Sequence, residues 1–204
     1  GYDIHSVEIR DGDTWRAAHY LVTDTRLQIR LDRALAAGGG RANVRMVYAY
    51  RIPPFRQRTG WYDTKNGPVF DIAEWYPRMA VYDDVIGWNT LPYLGRGQFY
   101  LDYGTMDYQV TVPWNFLVVG SGQLANPNAV LTRTEVDRLA AAAKSDSTVM
   151  IRGAAEVADP ASRPSRSGTL TWHFAMRDTR DAAWAASPAF VWDAARTGLP
   201  DHKT

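Results

Sequence analysis

The sequence contains no cysteine, and this absence excludes several kinds of chemistry. A disulfide framework, a zinc site with thiolate ligands and a thiol nucleophile all require cysteine. Histidine is scarce as well, with four residues scattered along the chain: His5, His19, His173 and His202. No two of them are four residues apart, so the zinc motif H-E-x-x-H is absent. The acidic pairs in RDGDTW and YDDV supply too few oxygen ligands for calcium, so we predict no metal site in this chain.

The sequence also has no large net charge. The formal net charge is +1 and no basic run is interleaved with aromatic residues, so we expect no nucleic-acid partner. No window approaches the roughly 18 apolar residues of a membrane-spanning helix, so we expect no membrane span. The first residues, GYDIHSVEIRDG, lack the apolar stretch of a signal peptide. The chain stops abruptly at GLPDHKT, and we therefore expect a fragment of a longer protein.

Strand-like alternation dominates the chain. In RLQIRLD, the residues Leu27, Ile29 and Leu31 fall on one face, as in a half-buried strand. We expect this run to pair antiparallel with NVRMVYAYRI, across the glycine-rich segment AAGGGRAN. The longest strand-like run is GQFYLDYGTMDYQVTVP, with a bulge or bend at Gly104. Further predicted strands are FLVVGSGQL, in which GSG is a turn, STVMIRGA and TLTWHFAMRD.

One helix stands out, in LTRTEVDRLAAAAKS. Thr132 and Glu135 have capping-box spacing, and four residues form an apolar stripe: Val136, Leu139, Ala140 and Ala143. The spacing predicts a helix over residues 134–144. Together these patterns predict a mainly β fold, a single saddle-shaped, antiparallel β-sandwich-like domain over residues 1–204 with one short helix.

Aromatic residues are abundant, with 8 Trp, 11 Tyr and 6 Phe. Several fall in loop-like segments: Trp61, Tyr62, Trp75, Tyr76, Trp88 and Tyr93. Residues 70–95 combine such rings with the carboxylates of Glu74, Asp83 and Asp84. A hydrophobic core uses rings but not carboxylates, whereas a ligand-facing groove uses both. Solvated turn carboxylates beside core rings are the alternative interpretation.

The stretch AEWYPRMAVYDDVIGWNTLPYLGRGQFYLDYGTMDYQVTVPWNFLVVGSGQL resembles the amino-terminal domain of bacterial zinc metallopeptidases of the aminopeptidase N family. The later segments TVMIR and TWHFAMRDTRDAAWAASPAFVWDAAR continue the resemblance, which covers most of the chain from about Val44 onward. In that family this domain is a saddle-shaped, mostly antiparallel β structure laid against a thermolysin-like catalytic domain. The resemblance implies that DAAWAAS, which its alanines and Pro188 leave ambiguous between helix and strand, is a strand.

The family's catalytic motifs, H-E-x-x-H with a downstream glutamate and G-x-M-E-N, belong to the catalytic domain and are absent here. The resemblance therefore implies a non-catalytic domain whose partner is its own catalytic domain. Zinc would belong to the full-length parent, a zinc aminopeptidase, and this fragment would hold no cofactor. Bacterial relatives with these motifs often resemble exported proteins, so the resemblance favours a periplasmic or extracellular location.

One loop of the family's amino-terminal domain carries a Gln or Glu that helps to hold the free α-amino group of the peptide. The corresponding loop here is IAEWYPRMAVYDD, in which Glu74 is the best match, ahead of Asp83 and Asp84. This sequence departs from the pattern P-C-x-D-x-P that is common around that loop. We expect Trp75, Tyr76 and Trp88 to cover apolar surface against the sheet or the catalytic domain.

A second class of function stays open at this stage. A carbohydrate-binding or protein-interaction β-sandwich module would show the same alternation and the same exposed rings. Glycan binding that is abolished by Trp75→Ala or Trp88→Ala would indicate the carbohydrate-binding module.

We predict that the 204-residue chain hydrolyses no aminoacyl anilide and binds no stoichiometric zinc. The reason is that activation of water needs a metal held by several residues or an equivalent base. Metal analysis of the purified chain and an anilide assay measure the two quantities. Stoichiometric zinc together with turnover would contradict the prediction.

Overall fold

The structure is a computed structural model that describes residues 1–54, 58–92, 95 and 99–198. The chain divides into two compact units. Unit 1 comprises Gly1–Arg51 and the described part of Met79–Tyr100, and unit 2 comprises the described parts of Ile52–Arg78 and Leu101–Thr204. The strands of both units pair antiparallel, so the prediction of a mainly β, sandwich-like fold is confirmed. The saddle shape, and a role for residues 1–204 as one amino-terminal domain, stay predictions.

The described residues of unit 1 contain seven strands: β1 (Asp3–Asp11), β2 (Thr14–Ala17), β3 (His19–Thr23), β4 (Arg26–Arg30), β5 (Val44–Ala49), β8 (Tyr82–Asp83) and β9 (Gly87–Trp88). β1 lies between β2 and β5 in a three-stranded sheet. β3 and β4 form a separate hairpin, and so do β8 and β9.

The strand pairing in unit 1 differs from the prediction. β4 pairs with β3 and β5 pairs with β1, so the prediction that RLQIRLD pairs with NVRMVYAYRI is wrong. A two-residue turn, in which Asp24 has a φ of 54°, joins β3 to β4. Such a short connection closes a hairpin at less entropic cost than the longer glycine-rich segment. The predicted face is correct, since Leu27 and Ile29 are the two half-buried residues of β4.

The described residues of unit 2 contain nine strands: β6 (Thr59–Thr64), β7 (Gly67–Ile72), β10 (Gly104–Pro113), β11 (Leu117–Gly120), β12 (Gln123–Leu124), β13 (Val149–Arg152), β14 (Thr169–Thr179), β15 (Trp184–Ser187) and β16 (Trp192–Ala194). They also contain the helices α1 (Pro127–Val130) and α2 (Arg133–Ala142) and two 3₁₀ turns, Ala154–Glu156 and Pro160–Ser162. Neither α-helix in these described ranges is long and apolar enough to cross a membrane.

Two sheets of unit 2 share one hydrophobic core. Their strand orders are β11-β15-β7-β6 and β10-β14-β12. Trp172 and Phe174 of β14 pack in one buried cluster with Leu117 and Val118 of β11 and with Ala186 of β15. Residues from both sheets therefore exclude water from the same interior, which is the packing of a β-sandwich.

Local predictions for unit 2 are mostly correct. The register of β10 against β14 shifts between Gly104 and Met106, which confirms the bulge. DAAWAAS forms β15, as predicted. The loop predicted around Trp61 and Tyr62 is wrong, because both residues lie in β6, which pairs with β7. The β6 segment shows little alternation of apolar and polar residues, and it forms a strand through its pairing with β7.

The predicted helix forms as α2, with the capping box in place. Glu135 Oε2 accepts a hydrogen bond from Thr132 N at 2.8 Å, and Glu135 N donates to Thr132 Oγ1 at 3.3 Å. The predicted apolar stripe is wrong in part, since Ala140 and Ala143 are exposed. Glu135 itself is buried, with only 2% of its surface exposed.

Arg163 explains why a carboxylate is buried at this position. Arg163 is 5% exposed, and its guanidinium lies 3.6 Å from the carboxylate of Glu135. It also donates to Phe116 O at 3.1 Å and to Val130 O at 3.0 Å. Burial lowers the pKa of Arg163 to about 10, and the charge of Glu135 acts in the opposite direction.

We predict that Glu135→Ala lowers the free energy of unfolding by about 3 kcal/mol or more, because it leaves a buried guanidinium without its counter-ion. Urea denaturation followed by tryptophan fluorescence measures the change. Arg133→Ala is the matched control: it removes an exposed pair with Asp137 on the same helix, and we expect a change within about 0.5 kcal/mol. Equal effects of the two substitutions would contradict the prediction.

Candidate functional site

The candidate site lies at the open end of the hairpin formed by β6 and β7. Arg58 immediately precedes β6, and Glu74 is the second residue after β7. Both have left-handed backbones, with φ of 77° and 54°. This conformation is strained for residues other than Gly, Asn and Asp. Ala73 N donates to Arg58 O at 3.0 Å, and Thr59 Oγ1 donates to Ala73 O. These bonds hold both strained residues at the same end of the hairpin.

The two strained residues form an ion pair. Arg58 Nη1 lies 3.0 Å from Glu74 Oε1, and the side chains are 43% and 31% exposed. A pair with this much solvent contact contributes on the order of 0–1 kcal/mol to stability. The pair therefore sets the position of the carboxylate more than it stabilises the fold.

A shallow groove of about 320 Å³ lies beside this pair. Arg58 and Ala73 line it, together with residues of β7, β11 and β15 and the residue before β15: Asp71, Ile72, Val119, Gly120, Trp184, Ala185 and Ala183. Apart from Arg58 and Asp71, the lining side chains are aliphatic or aromatic. The site thus combines a charged edge with an apolar floor, which is a common composition of small-ligand sites.

The rings that follow Glu74 are anchored in unit 2. Trp75 and Tyr76 pack against the core cluster, and Trp75 Nε1 donates to Ala182 O at 2.9 Å. The Tyr76 hydroxyl donates to Asp181 Oδ1 at 3.0 Å. Burial, followed by the bond to Asp181, raises the pKa of Tyr76 to about 12. These contacts tie the chain after Glu74 to the segment that leads into β15, so the backbone at Glu74 is fixed from both sides.

Asp83, Asp84 and Trp88 lie in unit 1, in the hairpin of β8 and β9. Asp83 Oδ1 accepts from Val85 N at 3.1 Å and Ile86 N at 2.9 Å, and its Oδ2 accepts from Asn89 Nδ2 at 2.8 Å. The bond from Ile86 N, then that from Asn89, lowers the pKa of Asp83. Asp83 is thus a turn-forming carboxylate, and Asp84 is exposed.

The β8–β9 hairpin also exposes several large apolar side chains. Trp88 is 53% exposed and meets the ring of Tyr82 edge to face, with the ring centroids 5.1 Å apart. Val85 at the turn is 84% exposed. Of the three aromatic residues predicted to cover apolar surface, Trp88 is exposed, whereas Trp75 and Tyr76 are partly buried. Tyr93 lies outside the described residues.

The histidines in the described part of the chain form no cluster of possible metal ligands. His173 lies on the face of β14 opposite Trp172, and its Nε2 is 2.9 Å from Asp107 Oδ1. Within residues 1–54, 58–92, 95 and 99–198, no group of three or more possible metal ligands comes together.

Sequence reasoning singled out Glu74 as a candidate, which stays a prediction, and did not single out Arg58. Arg58 lies in a polar segment with no periodicity, and its proximity to Glu74 follows from the β6–β7 pairing, which was not predicted.

Comparison with known protein families, with curated protein sequences and with solved structures finds no match for this chain.

We predict that Glu74→Gly is more stable than Glu74→Ala by about 1 kcal/mol, since both lose the ion pair and only glycine relieves the left-handed backbone. Urea denaturation of the two variants measures the difference. Asp107 lies in the extended strand β10. There Asp107→Ala should be more stable than Asp107→Gly, because glycine weakens a strand. A more stable alanine variant at position 74 would contradict the prediction.

Proposed function

We propose that this chain is the non-catalytic amino-terminal domain of a zinc aminopeptidase and that Glu74 helps to recognise the amino terminus of the peptide. The observation that supports this proposal best is the position of Glu74. Its carboxylate is presented from a strained, doubly anchored backbone, and both its neighbour Ala73 and its partner Arg58 line an apolar groove.

The chemistry of the site suits a free amino terminus. An α-ammonium group donates charge-assisted hydrogen bonds to a carboxylate, and a partly desolvated carboxylate binds it more strongly than a solvated one. The apolar floor, formed by residues such as Ile72, Val119 and Trp184, suits an apolar first side chain of the peptide. A peptide that begins with an apolar residue presents an ammonium group beside an apolar side chain.

Zinc would be supplied by the catalytic domain of the parent and would activate the water that attacks the peptide bond. The residues of this chain would bind and orient the peptide. Holding the chain end at a fixed point favours cleavage of the first peptide bond over internal bonds.

A protein-interaction role is the second candidate, and the β8–β9 hairpin favours it. Tyr82, Val85, Ile86 and Trp88 are all more than half exposed there, and exposed apolar clusters of this kind are typical of protein interfaces. Carbohydrate binding has less support, because the rings of Tyr82 and Trp88 are inclined at 73° and form no single flat platform.

We predict that the coding sequence beyond residue 204 contains H-E-x-x-H and that, in the full-length protein, Glu74→Ala lowers kcat/KM for aminoacyl anilides roughly tenfold or more. The loss corresponds to one charge-assisted contact of about 1.5–3 kcal/mol. Steady-state kinetics and metal analysis measure the effect, and zinc content should not change.

Asp83→Ala and Asp84→Ala are the matched controls. If either of them lowers kcat/KM while Glu74→Ala does not, the anchor is a different carboxylate. If the full-length protein lacks aminopeptidase activity, the proposed function is wrong.

A further inference from the structure

The ion pair between Arg58 and Glu74 has a consequence for how a peptide binds. A carboxylate that is to accept an ammonium group already has a cation 3.0 Å away. We propose that Arg58 is the resident counter-ion of Glu74 and that the amino terminus of a peptide binds by displacing it. This inference rests on the proposed role of Glu74.

The exposure of the pair makes exchange feasible. An exposed ion pair contributes little net stability, because each charge keeps part of its contact with water whether or not the partner is present. The Arg163–Glu135 pair shows the contrast: its side chains are only 2% and 3% exposed, and separating them would leave a buried charge. Of these two pairs, Arg58–Glu74 is therefore the one that a ligand can open.

Exchange would move the side chain of Arg58 and leave its backbone in place. The backbone of Arg58 is held by the hydrogen bond from Ala73 N, at 3.0 Å. Its side chain is 43% exposed and can therefore turn into solvent. The backbone at Glu74 stays in place because Trp75 is bonded to Ala182 O. The carboxylate would thus extend from the same backbone position in both states, with the peptide ammonium in the place of the guanidinium.

Competition by Arg58 predicts the direction in which replacing Arg58 changes peptide affinity. With Arg58 present, the ammonium must replace a cation, so the site attracts it weakly. With a neutral residue of similar length, the site has one positive charge fewer and attracts an ammonium more strongly. Arg58→Gln should therefore tighten binding and make it more sensitive to salt. A purely structural arginine would give the reverse, because its loss would disorder the carboxylate.

The experiment titrates the 204-residue chain with alanyl-alanine amide and with its N-acetylated form, followed by NMR. We expect the amide signal of Glu74 and the Nε–H signal of Arg58 to shift together with the free-amino peptide only. Arg58→Gln should lower Kd roughly two- to fivefold, the range that corresponds to an exposed ion pair, with a steeper salt dependence. Glu74→Gln should abolish binding in both backgrounds, and Arg133→Gln, which opens an exposed pair on α2, should change nothing.

The outcomes separate the two proposals. If the peptide binds and needs Glu74, but Arg58→Gln weakens binding or leaves it unchanged, the exchange proposal is wrong and the role of Glu74 stands. If neither the wild-type chain nor Arg58→Gln distinguishes the free-amino peptide from the acetylated one, the role of Glu74 is wrong and the exchange proposal falls with it.

Discussion

The buried contact between Arg163 and Glu135 is the constraint on which the arrangement of unit 2 depends. The guanidinium bonds Phe116 O, immediately before β11, and Val130 O, at the end of α1. It also lies beside the carboxylate that caps α2. A cation enclosed in this way costs much to bury without partners, so the three segments must converge on it. The start of β11 is thereby fixed, and β11 supplies Val119 and Gly120 to the groove.

Two residues with strained backbones lie at the edge of that groove. Arg58 and Glu74 have left-handed backbones, each of which costs on the order of 1–3 kcal/mol. Such conformations persist only where the surrounding contacts determine them. Here those contacts are the hairpin bonds around Ala73 and the anchored rings of Trp75 and Tyr76. The stability of the core thus maintains a local geometry that the two residues would not adopt alone.

Sequence patterns predicted what is local and missed what depends on distant partners. Alternation assigned Leu27 and Ile29 to one face, but it carries no information on which strand lies alongside, so the pairing of β4 was wrong. The capping box of α2 is a four-residue signal and was predicted correctly. The burial of Glu135 was not predicted, since it depends on Arg163, far along the chain. The resemblance singled out Glu74 as a candidate, whereas the proximity of Arg58 follows from the β6–β7 register.

Rings and carboxylates coexist in residues 70–95 because they perform different physical tasks. The rings of Trp75 and Tyr76 contribute buried area and, through Ala182 O and Asp181, fix the chain beside the groove. Asp83 uses both oxygens to form the turn between β8 and β9. A carboxylate meant to receive a ligand must instead be positioned by its backbone, because productive geometry tolerates only small displacements. In the proposed site Glu74 would meet that requirement: the adjoining rings and hairpin bonds hold its backbone, while an exposed ion pair with Arg58 holds its side chain.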